Sequence, residues 1–190
     1  MRFKARAVCA SQGEKMAAAL AKNAVTMCAS MSAGDAISQQ IQAHYEQQDK
    51  LSEDSSWDRH RTVKMGTVGL CVQGPLFHGM YLAADRVCGR SAVMPTVLRK
   101  VAFTTACAPL HLSCLFASVA LVDTRGDVGA AASKVVETVP GVFAAGAAFW
   151  PAVNVGLFKF VATPATRVKA AAFASMIWNI FLAYKANNDK

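Results

Sequence analysis

Long stretches without a single charge constrain this chain more than any other feature. Met65 to Ala84 is 20 residues without Asp, Glu, Lys or Arg, Val101 to Val122 is 22, Thr138 to Phe158 is 21 and Ala170 to Tyr184 is 15. A helix rises about 1.5 Å per residue and a bilayer's hydrocarbon core is about 30 Å thick, so three of the four are long enough to span it. The last is short for a span. Only 17% of the chain is charged against 54% hydrophobic, well under the quarter charged in soluble domains.

The net charge of +8 does not point to nucleic acid. No Lys/Arg run exceeds two residues and no basic stripe alternates with aromatics, as a nucleic-acid face would require. In a membrane chain, Lys and Arg collect in the loops on one side. With four spans, the side holding both termini collects thirteen and the other side six, Lys22 lying within the first span. If the last helix also spanned, the contrast would weaken to eleven against eight. The expected fold is therefore an all-α integral membrane bundle: four transmembrane helices at about 16–41, 65–84, 101–122 and 138–158, plus a C-terminal helix at about 168–186 that is interfacial or partly inserted. A basic segment, 1–15, with Arg2, Lys4 and Arg6 and no acid before Glu14, precedes the bundle. It suits a mitochondrial address or a basic anchor. An acidic polar loop, 43–61, carries Glu46, Asp49, Glu53, Asp54 and Asp58.

The first span is the least apolar, yet Ala24, Cys28, Ser32 and Ala36 recur every four residues along one face. Small residues at that spacing let helices approach closely in a bilayer. The second carries Gly66, Gly69, Gly74-Pro75 and Gly79, a load that would destabilise a helix in water and reads in a membrane as close packing with a kink. Pro109 breaks the third span, Asp123 to Gly129 is a turn, and Trp150-Pro151 marks a kink in the fourth. The segment holding Pro95, Arg99 and Lys100 reads as a loop before the third span. Six cysteines include no CxxC pair, and four lie in apolar stretches, so they read as small packing residues. Cys107, His111 and Cys114 share a helical face but lack the fourth ligand of a closed zinc site.

Several strings, in order along the chain, resemble one family. Gly34-Asp35-Ala36-Ile37-Ser38-Gln39 resembles the GD-x-x-x-Q end of the first helix in the Mpv-seventeen / PMP-twenty-two family of mitochondrial and peroxisomal membrane proteins. Asp58 and Arg61 resemble its D-x-x-R, and Gly74-Pro75 with Tyr81, Asp85 and Arg86 resembles its GP-x(4)-WY-x-x-L-D-R. Trp150-Pro151 with Asn154 resembles its WP-x-x-Q, and Arg167 with Trp178-Asn179 and Leu182 its closing R-x(10)-W-N-x-x-L. The chain departs from the pattern at Met80, where the family has tryptophan, at Phe103 and Thr104, where an acid–glutamine pair falls, and at Leu157-Phe158 in place of Asn-Phe.

The resemblance implies a small organelle-membrane protein, some of whose relatives are proposed to form weakly selective pores for ions or small solutes. The implied location is the mitochondrial inner membrane, with the peroxisomal membrane as the alternative. A pore needs polar side chains facing a wet cavity, and the candidates are Asp35, Gln39, Gln73, His78, Asp85, Arg86, Asn154, Lys159 and Arg167, with Arg86 or Arg167 expected as the charge partner of Asp35. The same groups would serve equally as inter-helix hydrogen bonds and ion pairs. Gly34, Gly74, Pro75, Trp150, Pro151 and Trp178 are expected at packing contacts or kinks. A non-conducting scaffold is the competing reading. The chain contains no G-x-S-x-G, H-E-x-x-H or phosphate loop, so neither catalysis nor a cofactor is expected. The expected partners are the lipid bilayer and further copies of the chain, since four thin, glycine-rich spans enclose little space.

Overall fold

The computed structural model describes residues 2–48 and 57–188, and among them there is no strand. Seven α-helices follow one another: α1 (Arg2–Gln48), α2 (Arg59–Val68), α3 (Gly74–Cys88), α4 (Met94–Asp123), α5 (Val128–Gly146), α6 (Phe149–Phe160) and α7 (Pro164–Asn188). A π-helical turn, Gly69–Gln73, joins α2 to α3. Its wider winding carries the chain into Pro75, which lacks the N–H that an α-helical ladder needs. The three pieces make one rod of about 45 Å.

Cross-helix contacts fix the directions. Ser32 lies opposite Gly66 and Ala24 opposite Gly74, so α1 runs antiparallel to the rod. Lys64 pairs with Asp123, and Asp85 with Lys100, so α4 is antiparallel to the rod as well. Lys159 reaches the carbonyl of Ala92, which brings the end of α6 back to the start of α4. Ser30 donates to the carbonyl of Ala172, and Gly34 faces Met176 and Asn179, so α7 lies parallel to α1. The chain thus traverses the bundle five times.

The small-residue face of α1 meets the glycines of the rod at backbone distance. A Cβ added at Gly69 would lie 2.7 Å from the Met27 carbonyl oxygen, and one at Gly74 2.5 Å from Ala24 Cα. Only glycine admits so close an approach. Around this seam Met27, Phe77, Tyr81, Ala84, Val97, Phe158, Val168 and Ala171 form the core.

Several boundaries differ from those the sequence predicts. α7 packs lengthwise against α1, with Val168, Ala171 and Ala172 in the core. Helix α1 already begins at Arg2, inside the basic segment, and continues to Gln48, into the expected polar loop. Residues 49–56 of that loop lie outside the described residues, and α2 starts at Arg59, capped by Asp58. Pro95 starts α4 in its first turn instead of marking a loop, since its fixed φ suits that position and the first turn needs no N–H. The fourth expected span is two helices, α5 and α6, bent by 60° next to Trp150-Pro151. Among the described residues, α4 alone is long and apolar enough to cross a membrane, and the bent pair qualifies when taken together.

Candidate functional site

The sequence's polar candidates separate into a cluster at each end of the bundle and a cavity between them. At the first end, Asp35 and Gln39 are one helical turn apart on α1, so both face the start of α2. Asp35 Oδ1 accepts from Arg61 Nε at 2.8 Å, and Oδ2 accepts from Gln39 Nε2 at 2.7 Å and Thr62 Oγ1 at 2.9 Å. Gln39 Oε1 accepts from the Asp58 backbone N–H at 2.7 Å, and Trp57 Nε1 donates to Thr62 Oγ1 at 3.1 Å. Asp58 caps α2 by accepting from the Arg61 N–H at 3.0 Å, and this bond holds its carboxyl below the usual carboxylate range. Arg61 is therefore the charge partner of Asp35. Arg86 and Arg167 cannot be, because the antiparallel packing of α1 on the rod puts them at the opposite end.

That opposite end is built on Asp85, the last acid of α3. Arg167 Nη1 donates to Asp85 Oδ2 at 2.7 Å, and Lys100 Nζ lies 2.8 Å from Oδ1. Asp85, Lys100 and Arg167 are 6%, 0% and 2% exposed. Arg167 also donates to the carbonyls of Val161 and Ala162, and Lys100 to that of Ser91. The Phe158 ring lies 4.9 Å from the guanidinium and 5.4 Å from the ammonium, a favourable placement for both cations. One carboxylate is thus shared by two buried cations. Arg86, the neighbour of Asp85, is exposed.

Between the two clusters lies a cavity of about 180 Å³. Its wall is mostly apolar, with Phe77, Trp150 and Trp178, and includes the polar side chains of Gln73, Thr104, His111 and Asn154. His111 Nε2 bonds Gln73 Oε1 and its ring meets Phe77 edge-on at 4.4 Å. Tyr81 donates to Asn154 Oδ1 at 3.0 Å, and Asn154 Nδ2 donates to Thr104 Oγ1 at 3.3 Å. This chain leads from the cavity floor to Phe158, whose ring is 5.6 Å from that of Tyr81. Of the residues expected at packing contacts, Trp150, Pro151 and Trp178 line the cavity. Gly34 touches Asn179, Gly74 touches Ala24 and Pro75 begins α3. His78 is not a wall of the cavity: it bonds Asn23, whose Nδ2 lies 2.9 Å from its Nδ1. Lys159 caps the Ala92 carbonyl at 3.3 Å.

Sequence reasoning passed over Lys100 and Asn23 and noted His111 beside Cys107 and Cys114, as part of an incomplete metal set. Lys100 sits beside Arg99 in what reads as an interfacial loop, and only the early start of α4 turns it inward. Thr104 occupies one of the two positions where the resembled family carries an acid–glutamine pair, and here it is the last link of the Tyr81–Asn154–Thr104 chain.

A helical bundle with its charge gathered at two ends, a mostly apolar cavity with a few polar groups between them and bare apolar side chains such as Leu110, Val136 and Phe160 on its outer faces defines a small integral membrane protein. Residues 123–183 match the Mpv17 / PMP22 family. The mitochondrial inner membrane protein Mpv17 of Xenopus laevis is 32% identical over 130 residues, covering 68% of this chain and 72% of that relative. The chain belongs to the Mpv17 / PMP22 family and is a protein of the mitochondrial inner membrane. No solved structure matches it.

Proposed function

We propose that the chain provides a weakly selective path for ions or small solutes through the inner membrane, the central cavity being the middle of that path. The supporting observation is the arrangement itself: one cavity with Gln73, Thr104, His111 and Asn154 in its wall, between the Asp35 cluster and the Asp85 cluster. In this reading the four expected spans are α1, the α2–α3 rod, α4 and the bent α5–α6 pair, and α7 adds a fifth crossing beside α1. The charged clusters are 24 residues apart along the rod, from Arg61 to Asp85, or about 36 Å. That exceeds the roughly 30 Å hydrocarbon core, so both clusters fall at its borders. They act as closed ends of the path. Passage is by permeation and involves no catalysis.

The test is single-channel recording of the purified chain in planar bilayers, with Gln73→Leu and Asn154→Leu beside the wild type. Discrete currents that either substitution reduces are expected. Silence from folded, inserted protein would overturn the reading. A second reading, a non-conducting scaffold or homo-oligomer, has its own observation: α5 leaves Gly141, Ala144 and Ala145 exposed, with open space at Gly141. A small-residue notch of that kind admits a neighbouring helix in lipid.

A further inference from the structure

At the Asp85 end of the bundle, α1 and α7 part to leave a second cavity of about 270 Å³, remote from the central one. Its walls are Ala18, Ala19 and Ala165, and its rim carries Lys22 on one helix and Lys169 on the other. Both lysines are exposed, and neither has a carboxylate partner among the described residues. Asn23 completes the lining. It is fully buried, and its Nδ2 bonds His78, but its Oδ1 has no hydrogen-bond partner. An unpaired buried acceptor is costly and calls for a donor from outside the chain.

Beyond the lysines, toward the middle of the bundle, exposed apolar side chains follow on both helices. On α7, Lys169, Phe173 and Ile177 follow at four-residue spacing on one exposed face, with Phe173 61% and Ile177 46% exposed. On α1, Lys22 is followed by Val25, 61% exposed, and Ala29. The site thus has two cations, a hydrogen-bond acceptor and alanine walls at the head and a bare apolar strip leading away from it. A free phosphate would use only the head of the site and leave the apolar strip bare. A phospholipid with an anionic head and a head-group hydroxyl uses every part: phosphate between the lysines, hydroxyl toward Asn23 Oδ1, acyl chains along Val25, Phe173 and Ile177. Basic pockets between transmembrane helices hold anionic head groups in this manner.

We propose that the α1–α7 groove is a specific site for an anionic glycerophospholipid of the surrounding membrane, clamped by Lys22 and Lys169. The site is separate from the central cavity and holds whether or not the chain conducts.

Native mass spectrometry of the full chain released from micelles tests it, with phosphatidylglycerol, phosphatidic acid and phosphatidylcholine as probes. One retained phosphatidylglycerol is expected; phosphatidic acid, whose phosphate monoester is anionic and carries its own hydroxyl, should be retained as well, and phosphatidylcholine, zwitterionic and without a hydroxyl donor, much more weakly. Lys22→Gln with Lys169→Gln should weaken retention about 30-fold, given the attraction of each basic group for an anionic lipid surface, whereas Arg90→Gln with Lys159→Gln at the same end should leave it intact. Ala165→Leu, which fills the groove and keeps both lysines, should also abolish the adduct. Equal retention of phosphatidylcholine, an undiminished adduct in the lysine variant with a wild-type melting curve, or full displacement by inorganic phosphate would overturn the proposal.

Discussion

Replacing Asp85 by Asn keeps the side chain's shape and removes the one carboxylate that Lys100 and Arg167 share. The two cations then face each other in a site where all three residues are at most 6% exposed. Removing one partner of a buried ion pair costs about 3–5 kcal/mol. Arg167 would keep its bonds to the Val161 and Ala162 carbonyls, Lys100 its bond to Ser91, and both their contact with Phe158, which places the expected loss near the low end, about 3 kcal/mol. For a chain of this length that lowers the melting temperature by roughly 6–12 °C. The sign of the surplus charge gives a sharper check. Lys100→Met removes one cation and leaves Asp85 and Arg167 as a neutral, hydrogen-bonded pair, so it should cost less than about 1 kcal/mol or even stabilise. The assay is thermal unfolding of the purified protein in one detergent at fixed concentration, followed by far-ultraviolet circular dichroism. Asp85→Asn melting within about 2 °C of wild type, or Lys100→Met proving as damaging as Asp85→Asn, would refute the reasoning.

The seam between α1 and the rod should tolerate no added volume: Gly69→Ala and Gly74→Ala should each cost about 1–3 kcal/mol in the same unfolding assay, whereas Gly141→Ala, with open space around it, should cost nothing. Asp58, whose carboxyl is held below its usual value by the Arg61 N–H, stabilises the start of α2 in its ionised form. That contribution is present at neutral pH and lost as pH falls through the lowered folded-state value, so acid should release the neighbouring Trp57 and change its fluorescence below about pH 4, a change that Asp58→Asn should remove. Asp35→Lys places a cation against Arg61 and breaks the first cluster, so it should raise the open fraction in bilayer recordings. Unchanged conductance and selectivity would take Asp35 out of the path.

Most of the architecture was legible because it rests on one-dimensional signals. The uncharged stretches mark helical passes, and the every-fourth small residues of α1 are the face that meets the rod. Gly66, Gly69 and Gly74 are its counterpart. The pairings were less legible, since they depend on which ends of the helices coincide. Asp35 finds Arg61 and not Arg167 because α1 runs antiparallel to the rod, a direction that alternating spans already imply, and the expected pairing with Arg86 or Arg167 ignored it. Lys100 was hidden for a related reason: Pro95 starts a helix as readily as it ends one, and the early start turns the lysine inward. The length of the uncharged stretch in α7 says nothing of its packing: Ala171 and Ala172 fit against α1 because small side chains let the two helices approach closely.

The most direct test of the central cavity as the conduction path is substituted-cysteine block at Thr104. In a background with the native cysteines replaced by serine, Thr104→Cys places a thiol in the cavity wall, next to Asn154. A small water-soluble thiol reagent added during planar-bilayer recording should then reduce the single-channel current in steps, with no effect on the cysteine-free background. Full current after the introduced thiol has been labelled, verified by mass, would contradict a path through this cavity.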